Sequence, residues 1–111
     1  AAGQTPPRKP TPIVSFDRKE FAALLDLYGR KVASGEWRDY AIDSLKDRAV
    51  FSAFRRASES PLYSIEKNPK LARKQGAYCV ISASGKVLKR GHELSNVLKV
   101  FEKPLKVVAS N

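Results

Sequence analysis

Residues that carry chemistry are scarce in this chain of 111 residues, which holds one cysteine, Cys79, and one histidine, His92. A lone thiol excludes an internal disulfide, and a single imidazole beside it leaves no set of zinc ligands. Nucleophilic catalysis is disfavoured for the same reason. Cys79 lies in an apolar stretch with no second histidine to activate it, and His92, placed after Gly91 and just before a helical pattern, reads as a helix-start residue more readily than as a general base. Gly85 and Gly91 have turn spacing only, so no phosphate-cradling glycine loop is present, and no pair of carboxylates falls on one helix or loop face. The expectation is a protein that is not an enzyme and uses no cofactor or metal. Long apolar runs are missing too. None approaches the roughly 20 residues that cross a bilayer, and residues 1–12 lack the apolar core of a signal peptide. A cytoplasmic protein without membrane association is expected, in keeping with the near absence of cysteine.

Acidic residues are also few, 11 against 21 basic ones, for a net charge of +10. With 42% apolar residues, this charge decorates a folded body and does not signal wholesale disorder. Most of the excess lies in one stretch: residues 46–90 carry eleven basic and three acidic side chains, which leaves +2 for the rest of the chain. Phosphates that release condensed counterions reward clustered Lys and Arg, so a polyanion is the natural partner of such a field.

The chain reads as one domain over residues 16–108, preceded by a flexible basic arm (1–15) and followed by a short tail (109–111). The arm holds four of the seven prolines, Pro6, Pro7, Pro10 and Pro12, together with Arg8 and Lys9, a composition that stays extended. A helix starts at Asp17, which can cap it, with Glu20 three residues on completing a capping box. Phe21, Leu24, Leu25, Tyr28 and Val32 recur at helical spacing and predict its apolar face, and Gly35 predicts its end. The period then changes to two. Tyr40 and Ile42 alternate with Asp39 and Asp43, residues 49–55 form the second arm of a hairpin that is apolar on both sides and expected to be central, and Pro61 introduces a third strand, 62–67. After a basic loop come strands at 77–82 and 87–90, joined by the Ala83, Ser84, Gly85 turn. Leu94, Val97, Leu98 and Phe101 mark a last amphipathic helix that Pro104 ends, with residues 105–108 as a short added strand. The class is α+β: an antiparallel five-stranded meander with an N-terminal and a C-terminal helix packed on one face. Arg55, Lys67, Lys89 and Arg90 are expected on the other face or along its edges.

The candidate binding surface combines Arg55 and Arg56 with Lys70, Arg73 and Lys74 of the basic loop and with Lys86, Lys89 and Arg90 of the last hairpin. Guanidinium groups take phosphate oxygens in bidentate fashion and ammonium groups act as point charges. The favoured partner is nucleic acid, RNA ahead of DNA, as in a ribonucleoprotein or the RNA-processing machinery. The alternative is a protein-interaction subunit that docks the same basic surface on an acidic partner, and an ordinary solvated surface competes with both. Tyr63 and Tyr78, flanked by charged or small polar residues, are the candidates for stacking bases, against the commoner reading of strand aromatics as core. Trp37 reads as structural. A homodimer through an open sheet edge is compatible with either partner.

The strings GEWRDYAID (35–43), AVFSAFRRASESPLY (49–63), NPKLARKQGAY (68–78) and VLKRGHEL (87–94) resemble a small alphaproteobacterial family of unknown function, over residues 16–108. The resemblance implies a bacterial, cytoplasmic, single-domain protein and transfers no site residue.

Overall fold

Asp17 starts the first helix as its spacing demands. Its carboxylate accepts the Glu20 N–H at 2.8 Å and the Glu20 carboxylate accepts the Asp17 N–H at 2.8 Å, which satisfies two orphan donors reciprocally. Helix α1 runs Arg18–Ala33, with Glu20 in its first turn and Arg30 and Lys31 in its last, signs that oppose the ends of the macrodipole. Ser34 caps it and Gly35, at φ +82°, turns the chain out, a conformation that favours glycine. The computed structural model describes residues 13–56 and 59–102. Within them follow β1 (Asp39–Ser44), β2 (Ala49–Phe54), β3 (Tyr63–Lys67), β4 (Tyr78–Ser82), β5 (Val87–Gly91), helix α2 (Leu94–Leu98) and a 3-10 turn at Lys99–Glu102. The strands form one antiparallel sheet in the order β1-β2-β3-β4-β5, the expected meander in an α+β fold. β2 is interior but not central; that place belongs to β3.

Register and alternation divide the side chains between two faces. Phe51 pairs with Ile65 and Ile65 with Val80, so these three point the same way, and all are fully buried. They share one apolar cluster with Leu24 and Leu27 of α1, with Leu94, Val97 and Leu98 of α2, and with Trp37 and Ala53. Lys67, Tyr78 and Lys89 belong to this cluster face by register, whereas Ala41, Ser52, Ser64 and Ile81 share a row on the opposite face.

α1 buries a stripe rotated from the expected one. Leu24 and Leu27 are its buried residues, Ala23 and Tyr28 pack against the cluster, and Val32 is exposed. Positions 20, 23, 24, 27, 28 and 31 form the inward line at helical spacing. Its two polar ends do work there: Glu20 meets Lys67, and the Lys31 ammonium donates to the Phe101 carbonyl at 3.1 Å.

Two further expectations change. The last helix tightens into a 3-10 turn after Leu98, which is common where orphan carbonyls must be satisfied. Phe101 in that turn packs edge-on to Trp37 and Tyr63, at centroid distances of 5.4 and 5.0 Å. Residues 13–15, expected within the arm, are fastened to the body: the Val14 N–H donates to the Leu45 carbonyl at 2.8 Å and Lys67 donates to the Ser15 carbonyl at 2.8 Å. Residues 1–12 of the arm, Pro104 and the strand expected at 105–108 lie outside the described residues.

Candidate nucleic-acid interface

The meander sends its loops alternately to two ends of the sheet. The corner before β1, the β2–β3 connection and the β4–β5 turn share one end; the β1–β2 turn and the β3–β4 loop share the other. Strands of this length rise about 3.3 Å per residue, which puts the ends roughly 15–20 Å apart. The candidate cations divide accordingly. Arg55, Arg56 and Lys86 lie at the first end, and Lys70, Arg73 and Lys74 at the second.

The first end includes a residue not anticipated from the sequence. The N–H groups of Glu36 and Trp37 both donate to the Lys31 carbonyl, at 2.9 and 3.2 Å, folding the chain back over the helix end. Trp37 is then driven into the core at 1% exposure. The next residue, Arg38, donates its N–H to the Phe54 carbonyl at 2.8 Å, so Arg38 emerges beside Arg55 and Arg56. These three arginines line a concavity of about 490 Å³ with Val32, Gly35 and Trp37. A second hollow of about 470 Å³ shares Gly35, Trp37 and Arg55 and adds Glu36, Leu62 and Tyr63. Glu36 does not neutralise the group. It accepts from the Ser34 hydroxyl at 2.8 Å and pairs with Lys31 at 3.4 Å. The Ser34 hydrogen bond, aided by Lys31 and opposed by partial desolvation, holds its carboxyl below the ordinary range.

At the second end, Asn68 caps a 3-10 turn, Pro69–Leu71, and the Leu71 carbonyl accepts from the N–H groups of Lys74, Gln75 and Gly76. The result is a tight knuckle that carries Lys70, Arg73 and Lys74 outward, all exposed. Gly76, at φ +106°, lies against the backbone of Gly91, where any Cβ would overlap the Gly91 carbonyl.

Lys89 and Arg90 do not share a face. Lys89 pairs with Val80 and Arg90 with Cys79, and the irregularity beside Val80 and Ile81 leaves Leu88 unpaired. Consecutive strand residues point to opposite sides, so the last hairpin spreads its cations instead of focusing them. At the strand's end both line an edge hollow of about 420 Å³ with His92, Glu93, Asn96 and Lys99. Lys67 points away from the expected basic face: its ammonium bonds Glu20 at 2.7 Å on the cluster side. The opposite face of the sheet is therefore of mixed charge, with Asp39, Asp43 and Glu66 beside Arg90.

Ion pairing does not single out the candidates: among the described residues Arg18, Lys19, Lys46 and Lys99 also lack a carboxylate within 4.0 Å. Arg30, Lys31, Arg48 and Lys67 are paired with carboxylates. None of Arg38, Arg55, Arg56, Lys70, Arg73, Lys74, Lys86, Lys89 and Arg90 has a carboxylate within 4.0 Å among the described residues.

The two candidate stacking rings also part company. Tyr63 packs against Trp37 and Phe101 at centroid distances of 6.2 and 5.0 Å, yet it lines the second arginine hollow. Tyr78 is held on the cluster face with its hydroxyl donating to Glu20; burial first, then the Glu20 carboxylate, push the phenol far above its ordinary value. Cys79 is buried, and its thiol is pushed up by desolvation against the lowering influence of Arg90. Among the described residues no group of three or more His, Cys, Asp and Glu could hold a metal ion, and no helix is long and apolar enough to cross a membrane.

No curated protein and no solved structure matches the chain. One family does, described as a protein of unknown function (DUF2794), and its match covers residues 14–98, from the segment fastened at Val14 to the end of α2. The chain belongs to that family.

Proposed function

We propose that this is a non-enzymatic nucleic-acid-binding accessory protein of the bacterial cytoplasm, with RNA or a ribonucleoprotein as its partner. The observation that carries the reading is the concavity lined by Arg38, Arg55 and Arg56, three guanidinium groups with no carboxylate within 4.0 Å among the described residues. Guanidinium groups this close repel one another in water, and a phosphate relieves that repulsion with charge-assisted, bidentate hydrogen bonds. Tyr63 in the adjoining hollow supplies an apolar wall for a base next to a phosphate on Arg55, which favours single-stranded RNA. Lys70, Arg73 and Lys74 hold the strand at the other end of the sheet, and Lys86, Lys89 and Arg90 add longer-range attraction. Both helices are taken to lie on the cluster face, which leaves the two loop ends clear.

The alternative, an acidic protein docked on the same cations, is separated by a pull-down with and without ribonuclease. Partners that vanish after nuclease treatment support the RNA reading; one stoichiometric protein that survives it supports the alternative. In purified form, a labelled single-stranded RNA should lose at least tenfold in affinity when Arg38, Arg55 and Arg56 are all replaced by alanine, and far less with Tyr78→Phe.

A further inference from the structure

We infer that the outer edge of β1 is a docking strand for an extended peptide of another protein, one in which two basic residues flank a pair of apolar ones in the order basic, apolar, any, apolar, basic. The site is distinct from the arginine concavity and does not depend on nucleic-acid binding.

β1 is the first strand of the sheet, and all six of its residues are exposed. The Leu45 N–H donates inward to the Arg48 carbonyl. Because N–H and C=O alternate sides along an antiparallel pair, Asp43, Ala41 and Asp39 also point theirs into the sheet. The backbone groups of Tyr40, Ile42 and Ser44 point outward, and no described residue bonds to them. Natural sheets blunt such an edge with charged side chains, proline, a bulge or a cover, and of these β1 carries two charges, Asp39 and Asp43, both on one side. β1 has no proline or lysine, and its pairing with β2 runs without a shift from Asp39 to Ser44. The contacts from Val14 to the Leu45 carbonyl and from the Ser15 hydroxyl to the Ser44 hydroxyl lie at its far end.

The side chains along this edge form a two-sided code. On the cluster side stand Tyr40 and Ile42, 40% and 36% exposed. On the opposite side stand Asp39 and Asp43. Neither has a cation within 4.0 Å among the described residues, although the chain carries a net +10. An added strand places its residues directly opposite these. Apolar side chains meet Tyr40 and Ile42, and Lys or Arg meet Asp39 and Asp43 across closely spaced positions. Main-chain bonds to Tyr40, Ile42 and Ser44 supply the affinity common to all such ligands, and the side chains supply the choice.

A second copy of this chain is a poor occupant. Antiparallel self-pairing centred on Ala41 sets Asp39 against Asp43 twice, the register centred on Ile42 gives neither aspartate a cation, and both bring two bodies of +10 together.

The test uses the full chain and a labelled, end-capped peptide, Ser-Lys-Val-Thr-Val-Lys-Ser, followed by fluorescence anisotropy. Three comparisons read the mechanism: the same peptide with glutamate for both lysines, the same peptide N-methylated at both valine amides, and the Asp39→Lys/Asp43→Lys variant, its fold checked by circular dichroism. The proposal expects each to weaken binding at least tenfold, while the variant's affinity for RNA does not fall. Equal binding of the glutamate peptide, or of the peptide methylated at both valine amides, overturns it. So does a β1-dependent dimer in sedimentation experiments, which would assign the edge to a second copy.

Discussion

Replacing Lys67 by methionine isolates the polar lock that joins the chain's beginning to its sheet. The Glu20 side chain is 11% exposed and the Lys67 side chain 18%, with the ammonium 2.7 Å from the carboxylate. Tyr78 and the Asp17 N–H also donate to that carboxylate. Burial raises the Glu20 pKa, but the hydrogen bonds from Lys67, Tyr78 and Asp17, with the Lys67 charge, outweigh it and leave a net lowering. A carboxylate with a depressed folded value stabilises the protein above its unfolded value, near the ordinary 4.5, and this contribution is lost as pH falls through the folded value. Lys67→Met strands the buried charge with two neutral donors and frees the Ser15 carbonyl. Breaking a buried pair from one side costs about 3–5 kcal/mol; with the two remaining donors, about 2–3 kcal/mol is expected here. At a urea slope of about 1.5 kcal/mol/M, the midpoint at pH 7 falls by roughly 1.3–2 M. The penalty shrinks toward pH 4, because protonating Glu20 in the variant removes the unpaired charge. Glu20→Gln in the Lys67→Met background should recover much of it, since glutamine still completes the capping box. A midpoint shift of less than about 0.3 M at pH 7, or a penalty that grows on acidification, would refute the reasoning.

Gly76→Ala should destabilise the protein by more than about 2 kcal/mol, through its positive φ and the collision with Gly91; thermal unfolding by circular dichroism reads this directly. Spectrophotometric titration at alkaline pH should find Tyr78 ionising only with unfolding, because burial and the Glu20 carboxylate both oppose its charge. In Glu20→Gln the same phenol should titrate earlier.

Much of the fold was legible because local and long-range signals agree. Asp17 and Glu20 announce the start of α1, Gly35 its end, and the two-residue period of β1 followed by the apolar run of β2 their pairing. The inward stripe of α1 was not legible, because its first and last positions, Glu20 and Lys31, are charged and look like solvent residues until their partners appear 47 and 70 positions away, at Lys67 and Phe101. Lys67 misleads for the same reason: a basic residue on a strand suggests an outer face unless a buried acid is waiting for it. The charge count pointed to Arg55 and Arg56 but passed over Arg38, which lies outside the densest stretch. Pairing residue 38 with the end of β2 in the hairpin would have brought it in. Which cations share a surface depends on the direction in which each loop leaves the sheet and on the irregularity at Leu88, and neither is written in composition.

The central claim is that unpaired guanidinium groups at the first end of the sheet bind phosphate. The salt dependence of single-stranded RNA binding tests it most directly, measured for the intact chain and for the Arg38→Ala/Arg55→Ala/Arg56→Ala variant. Each phosphate contact on a single strand contributes about 0.7 to the slope of log affinity against log salt, so the variant's slope should be shallower by about 2. Equal slopes for the two proteins, or binding of the intact chain that ignores salt, would contradict it.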